Sequence, residues 1–155
     1  MCVEMQGGNR ISQIKHACDR IFERILSARN VDAFNGAQGR LLYVLWQEEY
    51  ISLRELAQRT GLAATTLTGM VDRMEAAGLV RRLADRSDRR RTRLSLTEKA
   101  RTLRPDYEAV SGEMADIFYA GFTGEEIAQC EAMLERILCN LKRHENPQYA
   151  DERTE

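Results

Sequence analysis

The sequence predicts a mainly helical protein with one small β-hairpin, and three features predict it. Apolar residues recur at spacings of three and four near both ends of the chain. Two short helical patterns in the middle are separated only by a tight turn around Gly61. Directly after them, two runs of strand character bracket an arginine-rich loop. With 155 residues, 43% of them apolar and 30% charged, the chain is long enough to build its own core and too apolar to be disordered.

Ile11, Ile14, Cys18, Ile21 and Ile25 form one stripe of a first helix over about residues 9–28. Asn35 and Gln38 read as a capping box that opens a second helix over about 36–49. Its Leu41–Trp46 run is apolar nearly all round, which predicts a central, buried helix. Ser52 and Glu55 form another capping box, with Ile51 and Leu56 as the hydrophobic staple. The third helix therefore starts at Leu53 and stops before Gly61, a good left-handed terminator. A fourth helix follows over about 63–77 and stops at Gly78.

Two short helices joined at a glycine are the helix-turn-helix pattern. Leu56, Leu67, Met70 and Val71 are predicted to point inward, with small Ala57 at the closest approach. The remaining face of the fourth helix shows Ala64, Thr65, Thr68, Gly69, Asp72 and Arg73. Small residues let a backbone approach a groove, and hydroxyls bond phosphates or base edges. Leu79–Leu83 and Thr92–Leu96 then read as strands, with Leu94 and Leu96 inward. The loop between them has no apolar anchor. A hairpin in this place is a wing, and its arginine tip suits a narrow minor groove.

Thr97 is the expected N-cap of a fifth helix carrying Leu103, Tyr107, Val110, Met114 and Ile117, kinked or broken near Arg104 by Pro105. Gly121 ends it. Thr123 and Glu126 cap a sixth helix, with Phe122 and Ile127 as its staple and a stripe of Ile127, Cys130, Leu134, Ile137 and Leu141. Residues beyond about His144 are polar and expected to fray.

A net charge of −1 conceals strong segregation. Residues 1–80 are balanced, residues 81–104 carry net +7, and residues 105–155 carry net −8. Nine of the ten cations in the middle segment are arginine, the side chain suited to phosphate forks and groove insertion. The remaining composition excludes other classes. The four cysteines show no CxxC spacing, and the two histidines lie at opposite ends, so neither a zinc site nor a histidine triad has material. Cys18, Cys130 and Cys139 are expected to be small buried apolar residues. Glu48–Glu49 and Glu125–Glu126 are adjacent pairs whose side chains diverge on a helix, so no carboxylate dyad forms. No catalytic residue, metal or cofactor is expected. No apolar run approaches a membrane span and no secretory signal is visible, so the expected setting is cytoplasmic, away from any membrane.

The terminal stripes predict a homodimer. Ile11, Ile14, Ile21 and Ile25 of the first helix and Ile127, Leu134, Ile137 and Leu141 of the last are the expected contacts. The domain division that follows is 1–34 and 101–155 for dimerisation, and 35–100 for a winged helix-turn-helix lobe. A two-fold dimer presents two recognition helices to a pseudo-palindromic duplex.

Residues of about 35–100 resemble the MarR family of bacterial winged-helix transcription regulators. The resemblance rests on Asp85-Arg-Ser-Asp-Arg-Arg90 followed by Leu94-Ser-Leu-Thr-Glu-Lys-Ala100, and on Val71-Asp-Arg-Met-Glu-Ala-Ala-Gly-Leu-Val80. It implies a homodimer that binds operator double-stranded DNA and usually represses. It also implies that Thr65, Thr66, Thr68 and Gly69 face the major groove, with Ala64 at the start of that face, and that Arg73 holds a phosphate. In the wing, Asp88 would orient Arg90 into the minor groove, flanked by Arg86, Arg89 and Arg91. Four positions depart from the family pattern. Arg86 stands where proline is frequent, Ala100 replaces a glycine, Ala63 replaces a serine N-cap, and Gly69 stands where arginine is frequent.

The same resemblance implies release by a small phenolic or amphipathic effector. Tyr43, Trp46 and Tyr107 are the aromatic candidates for its cleft, with core packing as their competing role. Two alternatives remain at this level: a redox-sensing regulator using Cys18, and a winged-helix protein-interaction module that does not bind DNA.

Overall fold

In a computed structural model, described over residues 5–145, four helices begin under side-chain caps at Asn35, Ser52, Thr97 and Thr123. The elements are α1 (Gly7–Ala28), α2 (Gly36–Gln47), β1 (Ile51–Ser52), α3 (Leu53–Thr60), α4 (Ala64–Ala76), β2 (Val80–Ala84), β3 (Thr92–Leu96), α5 (Glu98–Thr102), α6 (Arg104–Phe118) and α7 (Gly124–Glu145). The expected mainly helical fold with a hairpin wing is the one observed.

The predicted caps form. Asn35 and Gln38 bond reciprocally at the start of α2, and Ser52 and Glu55 do so at α3. Thr123 and Glu126 do the same at α7. Gly61, Gly78 and Gly121 all take positive φ, which lets the chain turn sharply after α3, α4 and α6. Thr97 accepts from the Ala100 N–H, and its own hydroxyl donates to the Gly78 carbonyl at 2.6 Å. That bond ties the start of α5 to the end of α4. The helical run breaks between Thr102 and Arg104, where Pro105 imposes it.

Some boundaries differ from the sequence expectation. Helix α2 ends at Gln47 rather than 49, because Glu48 turns into extended backbone. The first wing strand is Val80–Ala84, shifted by one residue from Leu79–Leu83. A two-residue strand, β1, was not expected. It pairs antiparallel with β3 (Ile51 opposite Leu94), giving a three-stranded sheet in the order β1-β3-β2.

Contacts divide the chain into two units, one ending at Ala115 and the other beginning at Asp116. The first holds the core: Leu41, Leu42 and Leu45 of α2, Leu56 of α3, Leu67, Val71 and Met74 of α4, Leu94 of β3 and Val110 of α6 are all essentially inaccessible. Ile25 belongs to this core at 6% exposure, which removes it from the expected dimer contacts, and Ile21 packs partly against it. Ile11 and Ile14 stay exposed. In the second unit no residue of α7 is buried, and Leu134, Ile137 and Leu141 are exposed while Ile127 is half-buried. Cys18, Cys130 and Cys139 are half-buried, not enclosed as expected; for Cys130 and Cys139 the reason is that no residue of α7 is buried. Cys2 and the residues after Glu145 lie outside the described residues. Among the described residues, no helix is long and apolar enough to cross a membrane.

Leu94 sits in the middle strand and is fully buried. Leu94→Ala should cost about 2–5 kcal/mol in urea unfolding, by lost burial plus the cavity left behind.

Candidate nucleic-acid interface

The interface is built from α3, the turn at Gly61, α4 and the β2–β3 hairpin. Leu56, Leu67, Met70, Val71 and Met74 hold the helix pair to the core. The opposite side of α4 is open: Ala64, Thr65, Thr66, Thr68 and Arg73 are exposed, and Gly69 is half-exposed. Ala63 occupies the N-cap with no side-chain bond, as its departure from serine implies. The Thr68 hydroxyl donates to the Ala64 carbonyl at 2.9 Å. Its donor is thereby used, and its oxygen lone pairs and methyl remain for a partner. At Gly69 an added Cβ would lie 3.6 Å from the Arg73 guanidinium, an ordinary van der Waals contact, so Arg73 does not require a glycine there.

Arg82 of β2 joins the wing to α4. Its guanidinium donates to Asp72 at 2.5 Å and Glu75 at 3.0 Å, and its backbone N–H donates to Glu75 at 3.0 Å. Besides fixing the hairpin against the helix, this pairing neutralises Asp72, which would otherwise repel a polyanion from the open face.

The wing tip is organised by a carboxylate. Asp85 is 5% exposed. It accepts from the Ser87 hydroxyl at 2.7 Å, the Ser87 N–H at 2.8 Å, the Asp88 N–H at 3.3 Å and the Arg93 guanidinium at 2.6 Å. The Ser87 hydroxyl, then Arg93, then the Ser87 amide hold its carboxyl well below the usual carboxylate range. The loop thus has an anchor after all, polar instead of apolar. Arg93 also reaches Glu55 at 3.3 Å, the residue that closes the capping box of α3. Wing root and helix-turn-helix therefore share one ion-pair chain, Asp85–Arg93–Glu55.

Beyond Asp85 the arginines project. Asp88 accepts from both the backbone N–H and the Nε of Arg90, at 3.0 and 3.2 Å. This is the contact by which Asp88 was expected to orient Arg90. The Arg90 side chain is otherwise 91% exposed. Arg86, Arg89 and Arg91 are exposed as well.

Of the three aromatic cleft candidates, Tyr107 is buried against Tyr43, Trp46, Phe22 and Phe34, with ring centroids 5.3–6.1 Å away. The Trp46 indole donates to the Ala100 carbonyl at 3.1 Å. Tyr107 and Trp46 thus have packing roles, while Tyr43 keeps nearly half of its surface exposed. A cavity of about 670 Å³ does open beside them, lined by Lys15, Cys18, Asp19, Phe22, Arg40 and Tyr107 among others. Tyr43 and Trp46 are not in its wall. Asp19 bridges Lys15 at 2.7 Å and Arg40 at 2.5 Å there.

Asp85, Arg93 and Arg82 had no assigned role in the sequence. Asp85 carried a signal, since an aspartate two residues before a serine at a loop start is an Asx-turn signature. Arg82 and Arg93 look like any strand arginine until the pairing register places their partners.

The MarR family model matches residues 34–92, which span α2 through the start of β3. The transcriptional regulator PA3341 has a solved structure with 34% identity and a TM-score of 0.74, covering 88% of this chain and 98% of that one. The chain belongs to the MarR family of winged helix-turn-helix transcriptional regulators. Among relatives of this MarR-family chain is the HTH-type transcriptional regulator TtmR of Methylorubrum extorquens, 32% identical over 122 residues. That match covers 79% of this chain but only 58% of TtmR. The homoprotocatechuate degradative operon repressor of Escherichia coli is 29% identical, with 81% and 83% covered. A mutant of Escherichia coli MarR complexed with operator DNA shares the fold at a TM-score of 0.78 and 24% identity, covering 86% and 94% of the two chains.

The Asp85 carboxyl titrates lower in the native state than in the unfolded chain, where it sits near ~4. Its stabilising contribution is complete above that pH and is lost progressively as pH falls from there through the lower native value, while the native carboxyl itself stays ionised over most of that window. The Ser87 and Asp88 amides should therefore keep their exchange protection at about pH 3, read by NMR. Protection that vanishes near ~4 contradicts the anchored loop.

Proposed function

We propose that this chain is a homodimeric repressor whose α4 enters the major groove of a pseudo-palindromic operator while its wing tip enters the adjacent minor groove. The observation that carries the reading is a hydrogen-bonded frame that joins both elements. Arg82 bonds the wing strand to α4, Arg93 bonds the wing root to α3, and the outer faces stay open. Ala64, Thr65, Thr66, Thr68 and Gly69 then meet base edges. Arg73 meets a phosphate, and Arg90, set by Asp88, leads Arg89 and Arg91 into the minor groove, while the Arg86 guanidinium lies over the Tyr50 ring at the wing root and not in the groove.

Dimerisation uses faces the single chain leaves uncovered: Ile11 and Ile14 of α1, and Leu134, Ile137 and Leu141 of α7. Regions 1–34 and 101–155 serve this role, and 35–100 serves DNA. Two-fold symmetry would set the recognition helices about one duplex turn apart, roughly 34–36 Å. A small amphipathic aromatic effector fits the cavity, with Phe22 and Tyr107 against its ring and Lys15 and Arg40 available to an anionic group in exchange for Asp19. Such a ligand acts by favouring a dimer spacing that no longer matches the half-sites.

Duplexes selected from a random pool should be palindromic and bound by one dimer. If each protomer neutralises three to five phosphates, affinity should fall roughly 10³–10⁵-fold between about 50 and 200 mM salt. Arg90→Ala should weaken binding about tenfold or more with an unchanged melting temperature, measured by fluorescence anisotropy and thermal unfolding. Binding within a factor of about two of wild type would refute the minor-groove role of Arg90.

A further inference from the structure

The root of the wing closes around a residue that belongs to neither groove-facing element. Tyr50 follows α2 and precedes β1, and its φ is +64°. A bulky side chain is costly in this left-handed region and persists there only when its surroundings fix it. They do so on both sides. The Tyr50 N–H donates to the Leu94 carbonyl at 2.8 Å, which extends the β1–β3 ladder by one bond. The neighbouring Glu49 carboxylate accepts from the Leu96 N–H at 3.2 Å and from Arg101 at 2.8 Å.

This backbone turn delivers the phenol to the point where the tip loop leaves β2. The Tyr50 hydroxyl accepts from the Arg86 N–H at 2.8 Å and donates to the Ala84 carbonyl at 3.3 Å. One hydroxyl thus holds the residues on either side of Asp85. The ring carries two guanidinium groups over it, Arg86 at 5.5 Å and Arg93 at 5.8 Å from the centroid. Arg93 is the same side chain that links Asp85 to Glu55.

We propose that Tyr50 is a positioning residue for DNA binding. Its hydroxyl fixes the direction in which the segment carrying Arg89, Arg90 and Arg91 departs from the sheet. Arg86 is part of the device. A proline at that position would have a fixed φ but no N–H to donate, whereas Arg86 supplies the N–H that the phenol holds. The chain thereby replaces the stiffness of a ring in the backbone with a tether from a separate element. The proposal rests on the reading of this chain as a DNA-binding regulator.

Tyr50→Phe tests it, because phenylalanine keeps the ring, and with it both guanidinium contacts, and removes only the hydroxyl. The full-length chain, its Tyr50→Phe variant, a variant with Arg89, Arg90 and Arg91 all changed to alanine, and the combination of the two are titrated with a duplex selected by the wild type from a random pool. Exchange of the Arg86 amide is followed by NMR without DNA. Tyr50→Phe should lose the Arg86 amide protection and bind roughly five- to tenfold more weakly. In the background lacking the three arginines it should have no further effect on affinity, which a merely structural role would not produce. A Tyr50→Phe chain that binds as the wild type does, or whose loss persists in full without the tip arginines, overturns the proposal while leaving the DNA-binding reading intact. A wild type that selects no duplex overturns both.

Discussion

The Asp85 carboxylate is the contact on which the shape of the wing tip beside α4 depends. An arginine-rich loop repels itself and has no apolar side chain to bury, so nothing hydrophobic holds it in one shape. A carboxylate placed at its first position, with two amides, a hydroxyl and a guanidinium converging on it, supplies that shape instead. Charge-assisted hydrogen bonds of this kind are short and directional. They fix Ser87 and Asp88, and Asp88 in turn sets Arg90. The guanidinium that completes the cluster reaches on to Glu55, so the tip is referred to the helix-turn-helix through a short chain of ions and not through the flexible hairpin alone.

Charge is therefore used in two ways on the same surface. Some arginines are spent on structure: Arg82 on Asp72 and Glu75, Arg93 on Asp85 and Glu55. These pairings leave little net field, and they silence the acidic residues that lie near the open face of α4. At the tip Arg90 and Arg91 share the one carboxylate of Asp88, so positive charge remains there in excess. The acidic excess after residue 104 gives that part of the sequence the opposite sign of charge.

Much of this architecture is legible in the sequence, and the reason is local. Capping boxes at Asn35, Ser52 and Thr123 and the left-handed glycines at 61, 78 and 121 decide helix ends within a few residues, so the helices can be placed from short patterns. The open face of α4 is legible for the same reason, since helical period alone separates Thr65 and Thr68 from Leu67 and Val71. What is not legible depends on pairing between distant segments. Strand β1 is two residues long and exists because β3 lies beside it. Arg93 and Glu55 are 38 positions apart, and only the sheet register brings them together. The burial of Ile25 is a further case. Its stripe position predicts an exposed contact face, but the end of α1 turns into the protomer's own core while Ile11 and Ile14 remain outside.

The most direct measurement is a hydroxyl-radical footprint of a selected duplex with the wild type and with Asp85→Ala. If the buried carboxylate shapes the tip, the wild type shields both the recognition-helix contacts and the flanking minor groove, and the variant keeps the former while the flanking protection disappears. Identical footprints for the two proteins would show that the arginines find the minor groove without it.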